Sequence, residues 1–145
     1  MAPFIVRDYM TKKVITTNIS ATAADVAKIM AEDEMDQGYV IVLSEGKPEG
    51  IVTRKDLVNK VLATGITRRT KVTQIMTQPL ITVDPEEDLL KASQIMSENV
   101  ISKLVVMRDN IVYGIITEKD IALKCGSYID SAIRDLIRWT IPLGL

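Results

Sequence analysis

Apolar and polar positions along this chain follow two periods that alternate twice. Ala23, Val26, Ala27 and Met30 recur at helical spacing, as do Leu89, Ala92 and Met96, and each set predicts a helix of about three turns. Thr22 and Asp88 stand in register ahead of them as N-caps, because a side-chain oxygen there accepts from the free amides of a first turn. Runs rich in β-branched residues follow. Tyr39 to Leu43 and Gly50 to Val52 flank Ser44 to Glu49, whose Gly and Pro predict a hairpin turn. Leu104 to Met107 and Ile111 to Ile116 flank Arg108 to Asn110 in the same way. A second helix is predicted after each hairpin, carrying Leu57, Val58 and Val61 in one case and Ile121 and Leu123 in the other. Short strands precede the long helices at Ile15 to Thr17 and Ile81 to Val83.

The pattern is an internal repeat. Met10 Thr11, Ile15 Thr16 and Ile29 Met30 return as Met76 Thr77, Ile81 Thr82 and Ile95 Met96, a shift of 66 (10 to 76). Val42, Gly50, Ile51, Thr53, Lys55 and Asp56 return as Val106, Gly114, Ile115, Thr117, Lys119 and Asp120, a shift of 64 (50 to 114). The lost two residues therefore lie between Met30 and Val42, in the loop after the first long helix. Each half reads β-α-β-β-α, an α/β (α+β) pattern. Some 60 residues make a marginal core and leave a sheet face exposed, so the two copies should pack sheet to sheet. We expect residues 1–65 and 66–126 to be the two repeats of one compact pair, joined through Thr64 to Lys71 with Gly65 as a C-cap. Residues 127–145 lie beyond the repeat. Ile129, Ala132, Ile133, Leu136 and Ile137 keep helical spacing, with Asp130 and Arg134 four apart, before Trp139 and the apolar tail Ile141 to Leu145. Such a helix either covers the domain's own core or packs on another subunit.

Composition removes several function classes. The 145 residues suffice to bury roughly 70% of the unfolded surface, and a formal charge of −1 from 18 basic and 19 acidic residues does not point to nucleic acid or an anionic membrane. Arg68, Arg69 and Lys71 read as a solvated connector. With no histidine and the single Cys125, an intramolecular disulfide, the familiar zinc sites and Ser-His-Asp or Cys-His catalysis are all excluded. Residues 1–8 lack the apolar core of a signal peptide and no run of about 18 apolar residues occurs, so a cytoplasmic protein is expected.

Gly50 to Asp56 and Gly114 to Asp120 carry the candidate chemistry. Each reads as a buried strand handing over to a helix, with Thr and, three residues on, Asp. As structure, this is a capping box in which Thr53 and Thr117 accept from a first-turn amide and Asp56 and Asp120 reach back to the cap amide. As chemistry, a helix N-terminus attracts phosphate, a Thr hydroxyl adds a donor, Arg54, Lys55 and Lys119 add charge, and a carboxylate accepts from two ribose hydroxyls. An adenine would then sit on the Ile15 to Thr17 and Ile81 to Val83 strands. The readings are compatible, since a nucleotide can take over the donors that Thr and Asp otherwise satisfy.

On both Gly-apolar-apolar-Thr-x-x-Asp stretches, the Met-Thr openings and the Ile-Met helix pairs, residues from about Val6 to Lys124 resemble a tandem pair of CBS (cystathionine β-synthase) domains. The resemblance implies a pseudo-two-fold pair whose cleft offers up to two sites for adenine nucleotides, and modules that commonly dimerise. Asp56 and Asp120 would hold ribose; Thr53 and Thr117, with Arg54, Lys55 and Lys119, would hold phosphate. Ile15, Thr16, Thr17, Ile81, Thr82 and Val83 would face adenine, with Gly38, Tyr39, Ser102 and Lys103 at the mouth of the next strand. The copies differ at Arg54 against Glu118 and Tyr39 against Lys103, so equal occupancy is not expected. The function implied is a non-enzymatic regulatory module for AMP, ADP or ATP, with S-adenosylmethionine or NAD behind them, no metal or catalytic cofactor, a homodimeric state and a regulated protein elsewhere. The alternative is a structural dimerisation module without physiological nucleotide binding.

Overall fold

The computed structural model describes residues 4–65 and 67–124. The expected C-terminal helix and tail, and Cys125, lie outside the described residues. A short helix α1 (Val6–Tyr9) leads to strand β1 (Thr16–Asn18), helix α2 (Ala23–Glu32), strands β2 (Tyr39–Ser44) and β3 (Lys47–Thr53), and helix α3 (Arg54–Leu57), which runs on as a wider π turn over Val58–Leu62. The second half gives a 3-10 turn (Val72–Gln74), β4 (Thr82–Val83), α4 (Leu89–Asn99), β5 (Lys103–Arg108), β6 (Ile111–Thr117) and α5 (Glu118–Lys124). Each sheet has three strands, β1-β2-β3 and β4-β5-β6, with the first strand parallel to the middle one and the last antiparallel.

The predicted caps form. Thr22 Oγ1 accepts from Asp25 N–H at 3.2 Å while Asp25 Oδ2 accepts from Thr22 N–H at 2.9 Å, and Asp88 Oδ1 accepts from Leu90 N–H at 2.8 Å. The helices bury Ala23, Val26 and Met30 in one repeat and Leu89, Ala92 and Met96 in the other. The lost two residues fall where the repeat shift places them: residues 33–38 join α2 to β2, and residues 100–102 join the one-residue-longer α4 to β5.

Two local expectations need correction. The first hairpin turn is Glu45–Gly46 alone, at φ 50° and 78°, and the second is Asp109–Asn110, at 53° and 63°. Paired left-handed residues match the twist of a two-residue hairpin, so Pro48 and Glu49 join β3, an edge strand where Pro has no ladder N–H to lose. Each hairpin then slips by one residue beside Gly50 and Gly114. Val58 and Leu123, expected on buried helix faces, are 51% and 72% exposed; Leu57, Val61 and Ile121 pack inward instead. For Val58 the widened turn after α3 breaks the 3.6-residue phase on which the expectation rested.

Both sheet faces are covered, which is why β2 and β5 read as continuous apolar runs. Val40 and Val42 face α2; Tyr39 and Ile41 face Val105 and Ile115 of the other sheet. The helix-side cores are exchanged. Val6 and Met10 pack with Leu89, Met96, Leu104 and Ile116 of the second repeat, whereas Val72, Ile75 and Met76 pack with Val26, Val40 and Val52 of the first. Complete burial of such side chains stabilises by about 1.5–3 kcal/mol each. Arg108 forks onto Asp84 at 2.7 and 2.9 Å beyond the two-residue β4, holding that carboxyl down at about 2.

The exchange explains the repeated glycines. A Cβ on Gly114 would stand 2.5 Å from Thr11 O, and one on Gly50 would stand 2.7 Å from Met76 Sδ and 3.0 Å from Thr77 O. Gly114→Ala should therefore cost about 1–3 kcal/mol, since the obstacle is backbone that cannot rotate away. Urea unfolding should show a lowered midpoint at constant m; an unchanged midpoint would contradict the close crossing.

Candidate functional site

The two strand-to-helix corners are built alike. β3 ends at Thr53 in extended backbone, and Thr53 N–H donates to Asp56 Oδ2 at 2.9 Å. Thr117 N–H donates to Asp120 Oδ2 at 3.1 Å, and Asp120 N–H returns a bond to Thr117 Oγ1 at 3.0 Å. Capping boxes thus close at both corners with Asp in the place where Glu is more usual.

Each Asp also reaches the other repeat. The Thr77 hydroxyl donates to Asp56 Oδ1 at 3.1 Å, and the Thr11 hydroxyl to Asp120 Oδ1 at 3.0 Å. Lys60 and Lys124, four residues after each Asp, stand 3.0 and 3.2 Å from the same oxygens and donate on to Ile75 O and Tyr9 O. The Met-Thr openings, legible only as a repeat, are therefore the partners of the opposite Asp. The two lysines were missed, although their shared spacing from Asp was a readable signal. Asp56 is full: Oδ1 takes Thr77 and Lys60, and Oδ2 takes the Thr53 amide and, at 3.3 Å, the Thr53 hydroxyl. A carboxylate offers about four lone-pair sites, so a ligand hydroxyl must displace one of these donors.

A cavity of about 440 Å³ opens at the Asp56 corner, a size suited to small ligands. Both repeats wall it: Thr53, Arg54, Lys55 and Asp56 come from the first, and Ile81, Ser102 and Lys103 from the second, with Gly38 also at its edge. The structure thus joins the predicted ribose and phosphate residues of one repeat to the predicted adenine strand of the other. Asn59, Lys60, Ile101 and Val105 also line it, as does Thr77, which the sequence marks as a repeat motif but not as a site residue. The remaining predicted residues lie elsewhere. Thr117, Lys119 and Asp120 belong to the other corner, as do Ile15, Thr16, Thr17 and Tyr39 by repeat position. Thr82 is exposed, and Val83, the next side chain along the strand, points into the second repeat's core beside Leu89 and Met96 rather than toward the cavity.

The CBS domain family matches residues 6–63 and again 72–125. The chain belongs to the CBS domain family. A CBS domain-containing protein of Bacillus subtilis is 29% identical over 118 residues, covering 81% of this chain and 83% of that protein. Among solved structures, a hexameric CBS-CP12 protein from bloom-forming cyanobacteria superposes with a TM-score of 0.74 at 30% identity, covering 91% of this chain and 83% of that one. The CBS domain pair of protein MJ0100, solved in complex with 5′-methylthioadenosine and S-adenosyl-L-methionine, superposes with a TM-score of 0.76 at 28% identity, covering 86% and 97%.

Side chains give this CBS cleft its charge. Arg54, Lys55, Lys60 and Lys103 line it against the single carboxylate of Asp56. Arg54 ion-pairs with Asp36, donates to Asp36 O at 3.2 Å, and lies over Gly38, where a Cβ would meet its guanidinium at 2.7 Å. Gly38 also has φ +70°, where an L side chain is strained, whereas the Arg54 guanidinium could swing aside for one. Burial lowers the ammonium pKa of Lys103, and the neighbouring Arg54 charge lowers it further. On the cleft's rim Val100 holds φ 54°, a left-handed conformation costly for a β-branched residue; its counterpart Asp36, at φ 50°, is a residue type that tolerates it. Among the described residues, no group of His, Cys, Asp and Glu is arranged to hold a metal ion, and no helix is long and apolar enough to cross a membrane.

Tyr39 is fully buried between the sheets, and its phenol oxygen accepts from Ile15 N–H at 3.3 Å. Burial pushes the hydroxyl up to about 12, the Ile15 bond opposes this, and the charges of Asp33 and Asp120 add to it. A folded-state pKa above the unfolded value gives stability that is complete below about pH 10 and lost as pH rises toward 12. Wild type should therefore lose up to about 2–3 kcal/mol relative to Tyr39→Phe across that interval. Chemical unfolding at stepped pH measures it; parallel stability curves would show that the phenol is not buried.

Proposed function

We propose that this CBS pair is a non-enzymatic regulatory module that binds an adenine nucleotide, AMP, ADP or ATP, in the Asp56 cleft and passes its occupancy to a partner protein. The observation that carries the reading is the lining of the cavity: one carboxylate set among four cationic side chains, opposite the apolar wall of Ile81, Ile101 and Val105. Asp56 would accept from the ribose hydroxyls. Thr53, Arg54 and Lys55 would meet phosphate, and the Ile81 side of the cleft would receive the base. The similar MJ0100 pair holds two adenosine-containing ligands. Here the cationic lining favours phosphate over the sulfonium of S-adenosylmethionine, and it leaves NAD behind the mononucleotides.

Transmission follows from the saturation of Asp56. A ribose hydroxyl that displaces the Thr77 hydroxyl or the Lys60 ammonium loosens a tie between the repeats, and allosteric coupling is typically 1–3 kcal/mol. We further infer a cytoplasmic homodimer; exposed Val58 and Leu62 provide apolar surface for self-association. The second reading, a dimerisation module whose corners serve only as caps, is favoured by one observation: Asp56 already has four protein donors.

Thermal unfolding with AMP, ADP, ATP, S-adenosylmethionine and NAD separates them. A ligand at about 100 times its dissociation constant adds roughly 2.7 kcal/mol, a shift of several degrees. Asp56→Ala should abolish most of that shift, because bonds to a charged partner contribute about 1.5–3 kcal/mol each. Folded protein that responds to none of the five would leave the dimerisation reading standing.

A further inference from the structure

The corners share a backbone plan but not a lining. Shifting the Asp56 cleft by one repeat places Glu118 at the position of Arg54 and Tyr39 at the position of Lys103. Four cations with one anion become two cations, Lys119 and Lys124, with three anions, Glu118, Asp120 and Asp36, the last in the place of Val100. The larger change is Tyr39. Its ring lies wholly buried in the inter-sheet cluster with Ile41 and Ile115, against Ile15, the counterpart of Ile81. Its oxygen takes the Ile15 amide proton at 3.3 Å, so that main-chain donor is not open to a ligand. Lys103 cannot do the same in the other cleft, because an ammonium has three donors and no acceptor.

We infer that Tyr39 is a resident occupant of the second site, filling the base position at the Asp120 corner with a flat ring and a hydrogen-bond acceptor, so that each chain takes one adenine nucleotide. This rests on the proposed nucleotide reading for the identity of the ligand. Tyr39 does for the second corner what a bound base would do: it covers the apolar wall and satisfies the Ile15 amide. That corner then serves as a fixed hinge, and the Asp56 corner alone responds to ligand. The raised phenol pKa agrees with a ring held away from water and within the field of Asp120.

Calorimetric titration with AMP, paired with 8-azido-AMP photolabelling and peptide mapping, tests it on wild type and Tyr39→Ala. Where Tyr39→Ala fails to fold, Tyr39→Lys replaces it, carrying the side chain that the second repeat accommodates at Lys103. The expected result is one AMP per wild-type chain, with label on peptides around Ile81 and Lys103, and two per variant chain, with new label around Ile15. One AMP in both proteins overturns the resident-tyrosine inference and leaves the nucleotide reading intact. Two AMP in wild type, or wild-type label around Ile15, does the same, and the label position decides without any variant. No AMP in wild type but one in the variant supports the inference and overturns the nucleotide reading. No binding in either protein overturns both.

Discussion

The reciprocal Thr–Asp tie governs this molecule. Asp56 is buried and charged, and a buried carboxylate must be supplied with donors on every side. Its own repeat supplies the Thr53 amide and Lys60; the Thr77 hydroxyl comes from the opening segment of the next repeat. Asp120 makes the same demand and is met by Thr11. Each opening segment therefore has to cross to the opposite sheet. That crossing carries Val6 and Met10 into one core and Val72, Ile75 and Met76 into the other, and it passes so close to Gly114 and Gly50 that neither position has room for a Cβ. Repeat boundaries drawn along the chain thus differ from the units that pack in space.

On the proposed function, the same tie would make the fold responsive. A carboxylate whose lone pairs are already filled can bind a diol only by exchange, so ligand and inter-repeat contact compete for one group. A site of this kind needs no moving lid. Under that proposal the competition itself would couple the cleft to the interface, and the cationic lining would limit which ligand enters it.

Much of this was legible in the sequence. The 64-to-66-residue shift located the repeat, the loop deletion and the paired corners, because strong periodicity and capping chemistry are local properties. Three things were not. The crossing of Thr11 and Thr77 to the opposite Asp is a long-range contact, invisible to any window of chain. Val83 sits beside Ile81 in the sequence expectation, but its side chain is spent in the second repeat's core beside Leu89 and Met96. The π turn after Leu57, which exposes Val58, depends on packing rather than on propensity. The contrast between Tyr39 and Lys103 was visible as letters, but its meaning depends on where the phenol oxygen lies.

A crystal structure of the chain grown with AMP tests the central claim most directly. The account predicts one nucleotide per chain, with ribose on Asp56, phosphate toward Thr53 and Arg54, the base against Ile81, and Tyr39 still bonded to the Ile15 amide. A nucleotide seated at the Asp120 corner, or one bound in the Asp56 cleft without contact to that carboxylate, would contradict it.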